Sequence, residues 1–194
     1  MKTLFRVLKI TAVSITAITL GLSGISLAIS HVLAVDVTVT ATVGASVSCN
    51  VNTGSTAFST LTTGSVTAAT PNVTSTITTN DGLGFTLSIR DTGLATSSPA
   101  YTIASTTGAL SAGVEGYGIQ ATTTAGGTGT LTINAIYKVS GNDVGAMKTT
   151  DTVLASSTAA VTSKNILVTH KAAISSDTQA GSYSDTITYS CTGN

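Results

Sequence analysis

Charge is scarce in this chain. Asp, Glu, Lys and Arg make up 8% of its 194 residues, and eight basic groups balance eight acidic ones. A protein that holds nucleic acid needs a basic face, so a formal net charge of zero argues against that class of partner and against an acidic one. Aromatics are as thin, 4% with no tryptophan, too sparse for a stacking platform. Histidine is rarer still: His31 falls in the N-terminal segment, and His170 is the one imidazole beyond it. A hydrolytic triad needs a base, and around His170 no motif presents a nucleophile. No Cys or His stands at metal-ligand spacing, no D-x-D-x-D-G loop offers itself to calcium, and the glycines lie in turns rather than in a phosphate-binding loop. Asp81, Asp143 and Asp177 sit in the turn sequences "NDG", "GND" and "SSDTQAG", where a carboxylate usually caps backbone amides. The expectation is a non-enzyme, with no catalytic residue, no cofactor and no metal.

Low charge does not imply disorder here. Disordered chains are typically charged and poor in β-branched residues, whereas this one is dense in Val, Ile and Thr and is 42% hydrophobic. Its apolar residues recur at every second position, the period of a strand with one buried face. Val35, Val37, Val39, Ala41 and Val43 share a face, as do Ala45, Val47, Cys49 and Val51, then Phe85, Leu87 and Ile89, then Tyr117, Ile119 and Ala121. Leu131 to Val139 and Ile166 to Ile174 continue the alternation, and Tyr183, Ile187, Tyr189 and Cys191 line up in the last stretch. "NDGLG" (80–84) between two such runs reads as a hairpin turn, and "AGGTG" (125–129) and "SGND" (140–143) read as further turns. Between Val144 and Ser163 the pattern weakens into a loop or a short helix starting at Asp151. His170 falls on an apolar face, where a half-buried imidazole bonded to a hydroxyl or carbonyl is expected. The fold class read from this is all-β: an antiparallel β-sandwich, Ig-like or pilin-like, of about 8–10 short strands. Threonine dominates the outward positions, where its stiff branched Cβ suits a strand and its hydroxyl replaces charge as the solvating group.

The N-terminus stands apart. Lys2, Arg6 and Lys9 precede Ile10 to Ile29, a run without charge, and Val32 and Ala34 occupy the −3 and −1 positions of a small-residue cleavage site. That is the layout of a secretory signal peptide, so residues 1–34 are expected to be a signal helix and 35–194 a single domain. An uncleaved segment of this length would instead anchor the chain in a membrane. Removing residues 1–34 takes away three basic groups and no acid, leaving a net-acidic remainder. An exported chain with two cysteines is most simply read as carrying one disulfide, Cys49–Cys191. Two free buried thiols and an intermolecular bridge are the alternatives. The bond would close a loop of roughly 140 positions, for which the chain-entropy model gives about 5 kcal/mol as an upper figure. Asn72, in "NVT", fits the N-glycosylation acceptor pattern.

Three stretches carry a resemblance: "FSTLTTGSVTAATPNVTSTITTNDGLGFTLSIRD" (58–91), "LSAGVEGYGIQA" (110–121) and "AGSYSDTITYSC" (180–191). They resemble a group of uncharacterised, Thr-rich, exported surface proteins of bacteria. The last is also similar to the closing strand of WxL-type, spore-coat-U and pilin-like domains, where G-x-Y-x-D-x-[IV]-x completes a β-sandwich, although this chain has no Trp-x-Leu motif. The resemblance implies a role at the envelope or cell surface, and no catalytic residues.

The function expected is therefore that of a secreted, non-catalytic structural or adhesive surface protein. In its sharper form, residues 35–43 leave their own domain and build a filament by strand addition. In its plainer form they are an edge strand of their own sheet. The competing class is an extracellular module binding carbohydrate or another envelope ligand through loops such as 92–100 and 122–129, with Tyr101, Tyr117 and Tyr137 as the available aromatics. Self-association or contact with envelope components are the expected partnerships, with no nucleic acid, and with membrane contact only through an uncleaved signal segment.

Overall fold

The computed structural model describes residues 38–97 and 100–194. The expected signal helix, its cleavage site and the boundary at residue 35 lie outside the described residues. Every strand of the described residues falls within the unit Thr42–Asn194. Thirteen strands follow in order: β1 (Val47–Val51), β2 (Thr67–Ala68), β3 (Val73–Thr79), β4 (Phe85–Arg90), β5 (Leu94–Ser97), β6 (Ala100–Ile103), β7 (Gly108–Ala109), β8 (Gly116–Thr124), β9 (Thr132–Ile133), β10 (Asp143–Val144), β11 (Thr152–Ser157), β12 (Val161–Ala173) and β13 (Thr188–Gly193). No helix occurs among the described residues.

The long strand β12 organises the first sheet. It pairs antiparallel with β3 through residues 161–168, with β2 through 171–172, and with β8 along 165–173. β1 then pairs with β3 and forms the edge. The second sheet runs β13, β4, β11, β9, again antiparallel. One apolar cluster draws on both sheets: Val73, Ile77, Ile119, Ile166 and Val168 from the first, and Phe85, Leu87, Ile89, Ile133 and Leu154 from the second. The described residues are all-β, with antiparallel sheets arranged in a way consistent with a β-sandwich.

The central strands follow the sequence period. β3 and β4 alternate between buried and partly exposed positions, because side chains two apart share a face. Ile77, Phe85, Ile166 and Val168 are fully buried, and burying each such side chain stabilises the fold by about 1.5–3 kcal/mol. β12 changes phase at a bulge between Val161 and Lys164, with Val161 buried before it and Ile166, Val168, His170 and Ala172 buried after it. In the bulge Ser163 takes a positive φ of 51° and donates its N–H to Thr78 Oγ1 at 3.0 Å.

Four stretches depart from the sequence reading. "NDGLG" is not a hairpin, because β3 pairs with β1 and β12 whereas β4 pairs with β13 and β11. It is a corner that carries the chain from one sheet to the other. Asp81 Oδ1 accepts from the N–H of Leu83 at 2.9 Å, and Gly84 turns at φ 87°, where a Cβ would strike the Ser157 carbonyl. Residues 151–163 contain no helix but the strand β11 and the start of β12. The run Leu131–Val139 is strand only at Thr132–Ile133. Asn134 ends it, its side-chain oxygen taking the N–H of Ile136 and its carbonyl the N–H of Tyr137, a local turn that outcompetes the ladder. Finally, residues 38–46 form no strand and are exposed throughout, with Val39 87% and Val43 83% accessible. Over residues 38–43, the expectation of an edge strand in the protein's own sheet is thus overturned.

Candidate functional site

Two places stand out where the regular core gives way. The first is the seam between the sheets at their β1 and β13 edges. Cys49 lies opposite Ile77 in the β1–β3 ladder, and Cys191 lies opposite Leu87 in the β13–β4 ladder. Both partners are core residues. The disulfide Cys49–Cys191, with Cα atoms 6.4 Å apart, therefore joins the two edge strands across the rim of the core, within the reach such a bond requires. Each of β1 and β13 has one ladder partner among the described residues, so each leaves one backbone edge unpaired. Val47, Ile187 and Tyr189 pack against the core here but stay only partly buried. Asn194 locks the close of β13, accepting from Thr86 Oγ1 at 2.8 Å and donating to the carbonyls of Leu83 and Ser157. Asn80 holds the entry to β1, accepting from the N–H of Ser46 at 2.7 Å and donating to the Gly44 carbonyl.

The second is a cleft of about 750 Å³, walled by the 56–61 loop, the 178–185 loop and the ends of β8 and β12. Phe58, Leu61, Leu94, Ile174, Tyr183 and Ile187 supply apolar surface, and Phe58 meets Tyr117 edge to face with centroids 6.1 Å apart. The polar groups in its wall are unusual. His170 is 2% exposed, and neither ring nitrogen has a hydrogen-bond partner, so the expectation of a half-buried, bonded imidazole gives way to a fully buried, unbonded one. Burial pushes its pKa down to about 4, against the opposing pull of the Asp185 charge. Asp185 accepts from the N–H and hydroxyl of Thr92 through Oδ1, both at 3.1 Å, while Oδ2 is buried and unpartnered. Outside the cleft wall, the Tyr189 hydroxyl is also buried and unpartnered. Burial, and then the Asp185 charge, raise the pKa of Tyr117 and also that of the buried Asp91.

The tyrosines of the carbohydrate reading are dispersed. Tyr137 is fully buried and donates to the Ala146 carbonyl. Tyr117 is 2% exposed. Tyr101 stands edge to face with Tyr183 and donates to Glu115 Oε2 at 2.9 Å. They form no common platform. Asp185 was the residue overlooked in the sequence, although the signal was present: it shares the alternation of Tyr183, Ile187 and Tyr189, and so is an acid at an inward register. Asp91 stands in the same relation to Leu87 and Ile89. Among the described residues no three metal-binding side chains converge. No protein-family model, curated protein or solved structure matches the chain.

Proposed function

We propose that this is an exported, non-catalytic structural or adhesive protein of the cell surface or envelope, built on a pilin-like β-sandwich. In this reading it assembles when residues 35–43 of one copy add as a strand to an open edge, β1 or β13, of another. The observation that carries the reading is the pairing of an unused strand with unused edges. Residues 38–43 alternate Thr with Val or Ala and lie exposed outside every ladder, while β1 and β13 each keep one edge unpaired among the described residues. An added strand gains main-chain hydrogen bonds at the edge, and its alternate side chains supply specificity. Val39, Ala41 and Val43 would cover the partly buried Val47, Ile187 and Tyr189. The scarcity of charged residues supports the same reading, because edge strands that must stay apart usually carry lysine. The disulfide supports an oxidising, extracellular location.

Size-exclusion chromatography of the oxidised protein with and without residues 35–44 tests this. The intact protein is expected to elute as concentration-dependent oligomers and the deleted form as a monomer. If both are monomeric at high concentration, the strand-addition reading is wrong. The alternative of a carbohydrate- or envelope-ligand-binding module loses its tyrosine platform, but the cleft gives it a different and narrower basis.

A further inference from the structure

The cleft holds two features that an ordinary packing defect does not. Buried polar groups are nearly always hydrogen-bonded, and leaving one unpaired costs about 1–3 kcal/mol. Here His170 presents both ring nitrogens without a partner, and Asp185 presents Oδ2 without one. Among the described residues no Lys or Arg lines the cleft, so the carboxylate meets no cation from them there. The volume, about 750 Å³, falls in the range of small-molecule sites, which combine apolar walls with a few convergent polar groups.

We propose that this cleft is a binding site for a primary ammonium group carried on a small apolar body. The chemistry of the vacant partners selects that class. A carboxylate oxygen only accepts hydrogen bonds, and the neutral imidazole offers one acceptor nitrogen besides its donor. A group that donates several hydrogen bonds and carries positive charge satisfies both acceptors and neutralises the buried charge. A hydroxyl donates only one hydrogen bond and carries no charge, and a quaternary ammonium carries the charge but donates none. The apolar body lies against Phe58, Leu61, Ile174 and Ile187, and the rings of Phe58 and Tyr117 add a favourable face for a cation. None of these residues belongs to 35–43, β1 or β13, but Ile187 also lies on the surface that an added strand would cover, so the site is tested on the monomer.

The test is an NMR titration of the oxidised, monomeric protein with three probes: benzylamine, benzyl alcohol and benzyltrimethylammonium. Of the chain's two histidines His31 falls in the expected signal peptide, so in the processed protein the imidazole signals are those of His170. Benzylamine is expected to shift them saturably, and the other two probes to bind about tenfold more weakly, the worth of a charge-assisted hydrogen bond. Asp185→Asn keeps an oxygen for Thr92 and removes the charge. It is expected to erase the preference for benzylamine over benzyl alcohol. If the variant does not fold, the ratio of probe affinities in the native protein decides. Absence of a saturable shift with benzylamine overturns the proposal and leaves a water-filled void. Equal affinity for benzylamine and benzyl alcohol overturns it too, as does a preference that survives Asp185→Asn.

Discussion

The centre of the molecule and its stapled seam are built from similar strands to different ends. In β3, β4 and β12, inward side chains such as Ile77, Leu87 and Val168 are sealed between the sheets. In β1 and β13 no residue is fully buried, and β1 alternates only between partly and fully exposed positions. What the seam lacks in burial it regains covalently, through one disulfide and the side-chain locks of Asn80 and Asn194. The centre is stable because water is excluded, and the seam because its two strands are tied. Only the second arrangement leaves backbone edges free for another chain.

The difference can be broken open by removing the tie. The double variant Cys49→Ala, Cys191→Ala is expected to lose up to about 5 kcal/mol of unfolding free energy in urea under oxidising conditions. A loss under about 1 kcal/mol would show that contacts rather than the bond hold the seam. Next in size, Leu154→Ala or Ile77→Ala at the centre should cost about 2–5 kcal/mol. Val47→Ala, on the partly exposed edge, should cost less than about 1 kcal/mol. Comparable urea midpoints for the two kinds of variant would erase the distinction.

A pH series sharpens it at the cleft. The pKa of His170 is lowered in the folded state, so the unfolded chain takes up its proton first as pH falls. The stability present above the ordinary value near 6.5 should be lost progressively down to about pH 4, by about 3 kcal/mol. Asp91 acts in the opposite sense: its raised pKa lets the folded state bind a proton first, returning some stability as pH approaches 3.8. Urea titrations of the native protein and His170→Leu between pH 7.5 and 4 should therefore diverge in slope, and parallel curves would place His170 outside the effect. The smallest expected change in stability comes from Val43→Lys, within about 0.5 kcal/mol because the residue is exposed. Chromatography should nevertheless show its oligomers lost.

Much of the centre was legible because one rule governs it. Wherever both ladder neighbours and a facing sheet are present, period two predicts burial, as at Phe85, Leu87, Ile89, Ile166 and Val168. The rule says nothing about which strand a strand pairs with. "NDGLG" has hairpin chemistry, yet its flanking strands belong to different sheets, a choice made by long-range packing. Alternation also could not tell a paired strand from an unpaired one, so Val39 and Val43 read like Val47. At Asn134 a side-chain turn ends a run whose apolar period continues to Val139. The cleft was missed because inward acids were passed over within an apolar register, and because the 56–61 and 178–185 loops that wall it have no period to read.

The position of the disulfide has a mechanical consequence. In a fibre held together by residues 35–43, tension would enter each subunit just before Cys49 and leave through the edge beside Cys191. The covalent bridge connects those points directly, and the roughly 140 intervening positions form a closed loop that the force bypasses. Such a subunit could be pulled hard without paying out its chain, and its cleft would keep its shape under load.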